Sequence, residues 1–291
     1  MEPTMDLEAL AEAHRIVGRR TELRGVLACL HTDRNVLLEG PVGVGKSALA
    51  RAVAQGLGRG FVRVDGDGRY SESKLVGHFD PPGVLARGYQ ADLFIPGPLT
   101  DAMQRGAVLF VNELNRMPEG VQNVLLPALD EGLLIVPHLG TVHAAPGFTV
   151  VATQNPAEFV ATGHLSEALL DRFELVALGY QDAAEEADIV GQEARHRPSL
   201  ALIEQAVALV RATRSDKRIR RGASVRAAVA IADLAQALDG DLHAAARLAL
   251  PTRIELNDGH ETPFDAVLSD LLAAIDPEKK SLLSAGATTR R

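Results

Sequence analysis

Eight residues, Gly40-Pro41-Val42-Gly43-Val44-Gly45-Lys46-Ser47, follow the short apolar run 35–39 and precede a helical pattern in which Leu49 and Val53 lie one turn apart. Strand, glycine loop and helix in that order leave few local folds open. The glycines let the backbone turn its N–H groups inward around an anion. The helix N-terminus behind them adds positive potential. In this context the spacing is that of a phosphate-binding loop, with Lys46 reaching the β- and γ-phosphates of a nucleoside triphosphate and Ser47 ligating magnesium. Gly40, Pro41, Val42, Gly43, Val44, Gly45, Lys46, Ser47 and Ala48 are the candidate nucleotide contacts. ATP and Mg2+ are the expected ligands.

The rest of the chain suits such a loop. Residues 35–39, 61–64, 107–111, 148–153 and 175–178 are apolar runs separated by helical segments. That alternation predicts an α/β fold, a parallel five-stranded sheet with helices on both faces. Two stretches break the rhythm. Residues 77–97 are rich in Gly, Pro and aromatics and read as an insertion, with Leu85, Tyr89 and Phe94 as side chains to bury. Residues 133–146 read as a hairpin turning at Leu139-Gly140. Beyond residue 181 come alanine-rich amphipathic segments at 182–195, 199–214, 223–238 and 241–249, in which Leu202, Ala206, Leu209 and Val210 share a face. They predict a small all-helical lid domain. The expected division is a nucleotide-binding α/β domain over 1–180, the lid over 181–250, and a C-terminal extension over 251–291. The extension would hold a strand-like piece, a helix over 263–275 and a mobile polar tail. Residues 1–15 read as a short polar helix or a loose arm.

The second chemical element is Val108-Leu109-Phe110-Val111-Asn112-Glu113. An apolar strand ending in an acidic pair normally supplies a magnesium-side Asp and then a catalytic Glu. Here Asn112 takes the first place. Glu113 can still act as general base on the water that attacks the γ-phosphate. Asn112 offers an oxygen to a magnesium-bound water but lacks the charge, so a slow or silent hydrolase is the competing reading. The sequence alone therefore predicts that Asn112→Asp strengthens the hold on magnesium. Ala152-Thr153-Gln154-Asn155-Pro156 ends the fourth run, where Asn155 can orient the attacking water, although Asn-Pro also favours a plain turn. Arg172, just before the fifth run, is a candidate arginine finger for a neighbouring subunit, with an intramolecular salt bridge as the alternative. Arg226, opening a helix of the small domain, is a candidate γ-phosphate contact within its own subunit, with a solvated helix arginine as the alternative.

Composition excludes several other classes. The formal net charge of -8, from 30 basic and 38 acidic residues, argues against a broad nucleic-acid surface. Cys29 is the only cysteine, so the chain has no internal disulfide, a state that fits a reducing cytoplasm. His138, His143 and His164 lack the paired spacing of a zinc site. No apolar run approaches the ~20 residues that span a bilayer, so membrane insertion is not expected. The N-terminus also lacks the apolar segment of a signal peptide.

Taken together, GPVGVGKS, VLFVNELNR, ATQNP, LSEALLDRF and GASVRA, in that order from about Ile16 to about Leu250, resemble the MoxR-like branch of the AAA+ ATPases. The resemblance implies an insertion in the second helix, a hairpin before the sensor strand and a helical lid. It implies Asn155 as first sensor, Arg172 as finger, Arg226 as second sensor, and Ile16-Val17-Gly18-Arg19 as the segment that packs against adenine. It further implies a homo-oligomeric ring, usually a hexamer, that remodels or matures a client protein or metalloenzyme, often beside a protein carrying a von Willebrand factor A domain. Asn112 is the departure, since most relatives carry Asp there. It leaves open a second reading, a nucleotide-gated assembly module with little turnover.

Overall fold

The apolar runs become strands because a parallel strand covered on both faces needs an unbroken hydrophobic stretch. In the computed structural model, which describes residues 6–155, 165–257 and 262–275, the chain divides into two compact units, 1–179 and 180–291. The first unit runs α1 (Leu7–Ala13), α2 (Arg20–His31), β1 (Val36–Glu39), α3 (Lys46–Gly56), β2 (Phe61–Asp65), α4 (Glu72–Val76), β3 (Gly77–Phe79), α5 (Pro81–Arg87), β4 (Phe94–Pro96) and α6 (Pro98–Arg105). It continues through β5 (Val108–Asn112), α7 (Glu119–Asn123), α8 (Leu125–Asp130), β6 (Leu133–Val136), β7 (Gly140–His143), β8 (Thr149–Gln154), α9 (Glu167–Leu170) and β9 (Glu174–Ala177).

Five of these strands form one sheet in the order β2-β5-β8-β1-β9, and every pairing is parallel. Alternate residues feed opposite layers. Leu109, Val111, Val150 and Ala152 face a core shared with α4, α6 and α8. Val108, Phe110, Val36 and Leu38 face the core shared with α2 and α3. Phe110 is fully buried and stacks on Phe61 with ring centroids 5.4 Å apart. Phe110→Ala is expected to cost about 3–5 kcal/mol of stability, the usual loss when a buried aromatic leaves a cavity. Urea unfolding measures this, and a loss below about 1 kcal/mol would mean that the central strand tolerates a void.

Residues 77–97 do insert between α4 and α6, as an antiparallel pair, β3 with β4, enclosing α5. The burial expected of Leu85 and Tyr89 is corrected. Leu85 is 90% exposed and Tyr89 53%, and α5 has no buried residue. Leu93 fills the interior instead, packed so closely on Gly83 that a side chain at that glycine would meet it. Phe79 holds Tyr89 and Phe94 edge-on, at 5.1 and 5.2 Å. The hairpin also turns earlier than expected, over Pro137 and His138. Pro137 pre-sets its own φ, His138 takes φ 64°, and Leu139 N–H donates to Val136 O at 3.1 Å. Gly140 already pairs with Val136.

The second unit holds α10 (Ala183–Glu193), α11 (Leu200–Ser215), β10 (Ile219–Arg221), α12 (Val225–Ala237), α13 (Leu242–Ala249), β11 (Glu255–Leu256) and α14 (Phe264–Ile275). Buried alanines on α12 and α13 allow close helix approach, and Ile203, Leu209 and Val210 fill the remaining space. Of the face expected on α11, Leu202 is only partly buried, and Ile203 takes the inner place beside it. A short antiparallel pair, β10 with β11, adds to the helices. Val267 and Leu268 of α14 sit in the same core, so residues 251–257 and 262–275 pack as part of this unit. The tail from 276 onward, Pro156 and His164 lie outside the described residues.

Candidate functional site

All five strands point the same way, so the segments that follow β1, β5 and β8 emerge at one edge of the sheet. The pairings Glu39 with Gln154 and Val111 with Ala152 fix that alignment. Ligands of open parallel sheets bind at this carboxyl edge. Three groups of candidate residues meet there: the loop 40–47, Asn112 with Glu113, and Thr153 to Asn155.

Gly40 leaves β1 at φ 155°, and a Cβ there would lie 2.1 Å from Leu178 O, so only glycine fits against the residue just past the end of β9. Gly45 is the N-cap of α3 at φ 94°, without a side-chain capping bond. The first N–H groups of α3 are therefore not covered by a cap side chain. Lys46 Nζ folds back over the loop and donates to Gly40 O at 2.5 Å and Pro41 O at 2.9 Å. A glycine cradle, an uncapped helix N-terminus and a lysine ammonium suit the charge and shape of a triphosphate. Ser47 Oγ and Asn112 Oδ1 are oxygen donors of the kind magnesium accepts.

The segment proposed to lie against adenine is tied to this loop. Ile16 packs against the α2–α3 core, and its N–H donates to Ala11 O at 2.8 Å. Val17 follows it into Gly18, at φ 62°. Arg19 is the tie: its Nη2 donates to Gly179 O at 2.6 Å and Val44 O at 3.2 Å, and its Nη1 pairs with Glu22 at 2.8 Å. The sequence places Arg19 in the adenine segment but does not show these bonds, because the carbonyls it meets lie far along the chain.

Glu113 takes left-handed backbone angles, φ 56° and ψ 51°, which few residues with a side chain adopt. Its N–H donates to Thr153 Oγ1 at 2.8 Å, and its carboxylate meets Arg116 Nε at 3.0 Å. Thr153 Oγ1 also lies 3.1 Å from Asn112 Oδ1, and Asn112 Nδ2 donates to Asp65 Oδ1 at 2.9 Å. Gly66 N–H donates to Asn112 O at 2.7 Å, and a Cβ at Gly66 would lie 2.1 Å from Glu113 O. The end of β2 is thus pressed against the Asn112-Glu113 step. Asn155 is buried at the end of β8, and its neighbour Gln154 donates to Glu39 Oε2 at 2.6 Å. Asp65 and Thr153 belong to this site, although the sequence shows them only as strand termini.

Arg172 lies elsewhere. It precedes β9, whose Glu174 pairs with Val36 at the start of β1, whereas the loop 40–47 leaves the far end of β1. The four paired residues alone span about 10 Å from first to last. Its Nε pairs with Asp130 at 2.6 Å, the intramolecular bridge held as the alternative, and that carboxylate raises the guanidinium's pKa. Arg226 is an exposed residue in the first turn of α12, in the second unit. Among the described residues no three His, Cys, Asp or Glu side chains come together as a metal cluster, and no helix is long and apolar enough to cross a membrane.

Comparison with known proteins agrees with this architecture. Residues 35–173 match the family described as the AAA domain of the dynein-related subfamily. The chain is 30% identical over 213 residues to an uncharacterised protein of Staphylococcus haemolyticus, covering 71% of this chain and 80% of that one. It is 34% identical over 177 residues to the gas vesicle ATPase GvpN2 of Halobacterium salinarum, covering 55% of this chain and 52% of that one. A crystal structure of a protein from Cytophaga hutchinsonii, assigned as an ATPase, shares the fold at a TM-score of 0.51 and 22% identity, covering 93% of this chain and 94% of that one.

Proposed function

The chain belongs to the AAA+ ATPases, and from that premise we propose that it hydrolyses ATP to drive the remodelling or maturation of a partner protein, as a ring-forming member of the MoxR-like branch. The observation that carries this reading is the edge of the sheet where Glu113 stands beside Thr153, on the same side as the loop 40–47. The loop binds the phosphates through its backbone N–H groups and Lys46. Glu113 takes the proton of the attacking water, its backbone held by Thr153 and its carboxylate by Arg116. Asn155, at the end of β8, orients that water. Ser47 and, through water, Asn112 would hold Mg2+, which supplies charge neutralisation at the β- and γ-phosphates. Arg172 acts on a neighbouring subunit, and Arg226 keeps the second-sensor assignment that the resemblance gives it.

Exposed apolar side chains on the two insertions support contact with protein. Leu85 and Ile135 are 90% and 72% exposed, and the insertions touch where Tyr89 stacks on His138 at 3.8 Å. Large exposed apolar side chains gathered on such projections commonly mark protein contacts. The client is a protein, and a von Willebrand factor A domain protein is the proposed companion.

The test is phosphate release under saturating Mg-ATP, with particle mass followed by light scattering with and without nucleotide. Turnover that rises with assembly is expected. ATP-dependent assembly with phosphate release no faster than the background would replace this reading with that of a nucleotide-gated assembly module, the outcome that Asn112 favours.

A further inference from the structure

We infer that Asp65 is a positioning residue for the reaction: it fixes which end of the Asn112 amide faces the phosphate loop. An amide has a donor end and an acceptor end, and only the acceptor can serve a magnesium-bound water. The NH2 end at the same place would set partial positive charge against the cation.

The hydrogen bonds leave one consistent assignment. Asp65 is a carboxylate and only accepts, so the end of Asn112 that meets it at 2.9 Å is Nδ2. Glu113 N–H can only donate, so Thr153 Oγ1 accepts from it at 2.8 Å. The single hydroxyl proton of Thr153 is then directed to Asn112 Oδ1, 3.1 Å away. Sheet order does the rest. β2 lies on one side of β5, and β8 and then β1 lie on the other. The amide's NH2 therefore faces β2, and its oxygen faces the side from which the loop 40–47 springs.

Asp65 is itself held. Arg63 Nη2 meets its Oδ1 at 2.6 Å and Arg63 Nε its Oδ2 at 3.0 Å. This fork fixes the plane of the carboxylate and leaves Oδ1 turned to Asn112. A carboxylate at 112 would face that charge across a hydrogen-bond distance, and two carboxylates so close do not both ionise without repulsion. Asp65 and Asn112 thus form a matched pair. A neutral amide suits position 112 because its neighbour on β2 is charged.

This inference rests on the nucleotide reading above, and it reverses the expectation that Asn112→Asp repairs the site. The test compares wild type, Asp65→Asn, Asn112→Asp and the exchanged pair Asp65→Asn/Asn112→Asp. ATP affinity is measured calorimetrically in EDTA and across a Mg2+ titration, with thermal unfolding alongside. In EDTA each protein gives its own metal-free ATP affinity, set mainly by the loop 40–47, and this is the baseline against which its Mg2+ titration is read. With magnesium, Asn112→Asp alone should require about tenfold more Mg2+ for the same gain in affinity, and the exchanged pair should return to the wild-type value or better, a coupling within the range measured for contacting residues. Asp65→Asn alone should cost a few-fold, because an amide facing an amide can invert. Additive effects, or a magnesium requirement that Asn112→Asp lowers by itself, would overturn the proposal. So would coupling in unfolding temperature without coupling in the Mg2+ titration, which would make the pair structural only. A wild type that binds no ATP in EDTA or in magnesium would instead remove the nucleotide reading on which the proposal rests.

Discussion

Lys46→Ala is expected to lower ATP affinity by about thirtyfold or more while leaving a folded protein. Without its ammonium, the loop loses the two bonds to Gly40 O and Pro41 O. Each is worth about 1 kcal/mol net, and Gly40 is buried while Pro41 is half-buried, so the expected loss of stability is about 2 kcal/mol. The loss in binding is larger. A triphosphate would enter a backbone cradle with its counter-charge missing, and truncating one partner of such a charged pair costs about 2–5 kcal/mol. At about 1.4 kcal/mol per tenfold, that is roughly thirtyfold to several thousandfold. Thermal unfolding with and without ATP separates the two effects. Ligand at a hundred times its dissociation constant stabilises by about 2.7 kcal/mol, so the wild type should show a clear upward shift. The variant should start slightly lower and show almost none. An equal ATP-induced shift in both proteins would refute the assignment of the loop.

Much of the scaffold was legible because burial on both faces demands continuous apolar runs. The five sheet strands fall where residues 35–39, 61–64, 107–111, 148–153 and 175–178 predicted them, shifted by a residue at some ends. Helix α3 begins at Lys46 because Gly45, at φ 94°, ends the loop there. Other features were hidden for definite reasons. β10 is three residues long and two of them are arginine, so it has no strand pattern, and its pairing with β11 depends on a partner 34 or more residues away. Leu85 looked like a core residue, but Leu93 occupies the interior of that insertion. The hairpin turn was drawn toward Gly140 by glycine's usual role, whereas Pro137 and His138 supply the turn geometry. In the site, local motifs exposed Lys46 and Glu113. Asp65 stood only as a strand terminus, and Thr153 and Arg19 only as members of longer motifs, because each acts through a partner on another element that no local spacing encodes.

A hydrolysis site shared between subunits is the expectation with the most severe test. Glu113 lies at the carboxyl edge of its own sheet, while Arg172 lies beyond the opposite edge, before β9 begins. Arg172 therefore cannot serve the loop 40–47 of its own chain without large rearrangement. It can serve a neighbour's loop in a head-to-tail ring, where unlike faces of successive subunits meet. Within one chain Asp130 holds the guanidinium at 2.6 Å, so assembly must exchange that carboxylate for a phosphate. Arg172→Ala is accordingly expected to bind ATP nearly as the wild type does and to hydrolyse it about a thousandfold more slowly, the usual order for a missing finger. Glu113→Gln should also bind and fail to hydrolyse. Each variant supplies what the other lacks, so mixing them should restore turnover. With random equimolar assembly, about a quarter of interfaces pair an intact Glu113 with an intact Arg172, because each is present with a chance of one half. Recovery should approach a quarter of the wild-type rate if sites fire independently, and fall below that if several sound sites must act together. Subunit exchange is confirmed by native mass measurement before phosphate release is read. Fully exchanged rings as inactive as either parent would sink the shared site or the choice of Arg172. Full activity in Arg172→Ala alone would return that arginine to the structural role its bridge to Asp130 already describes.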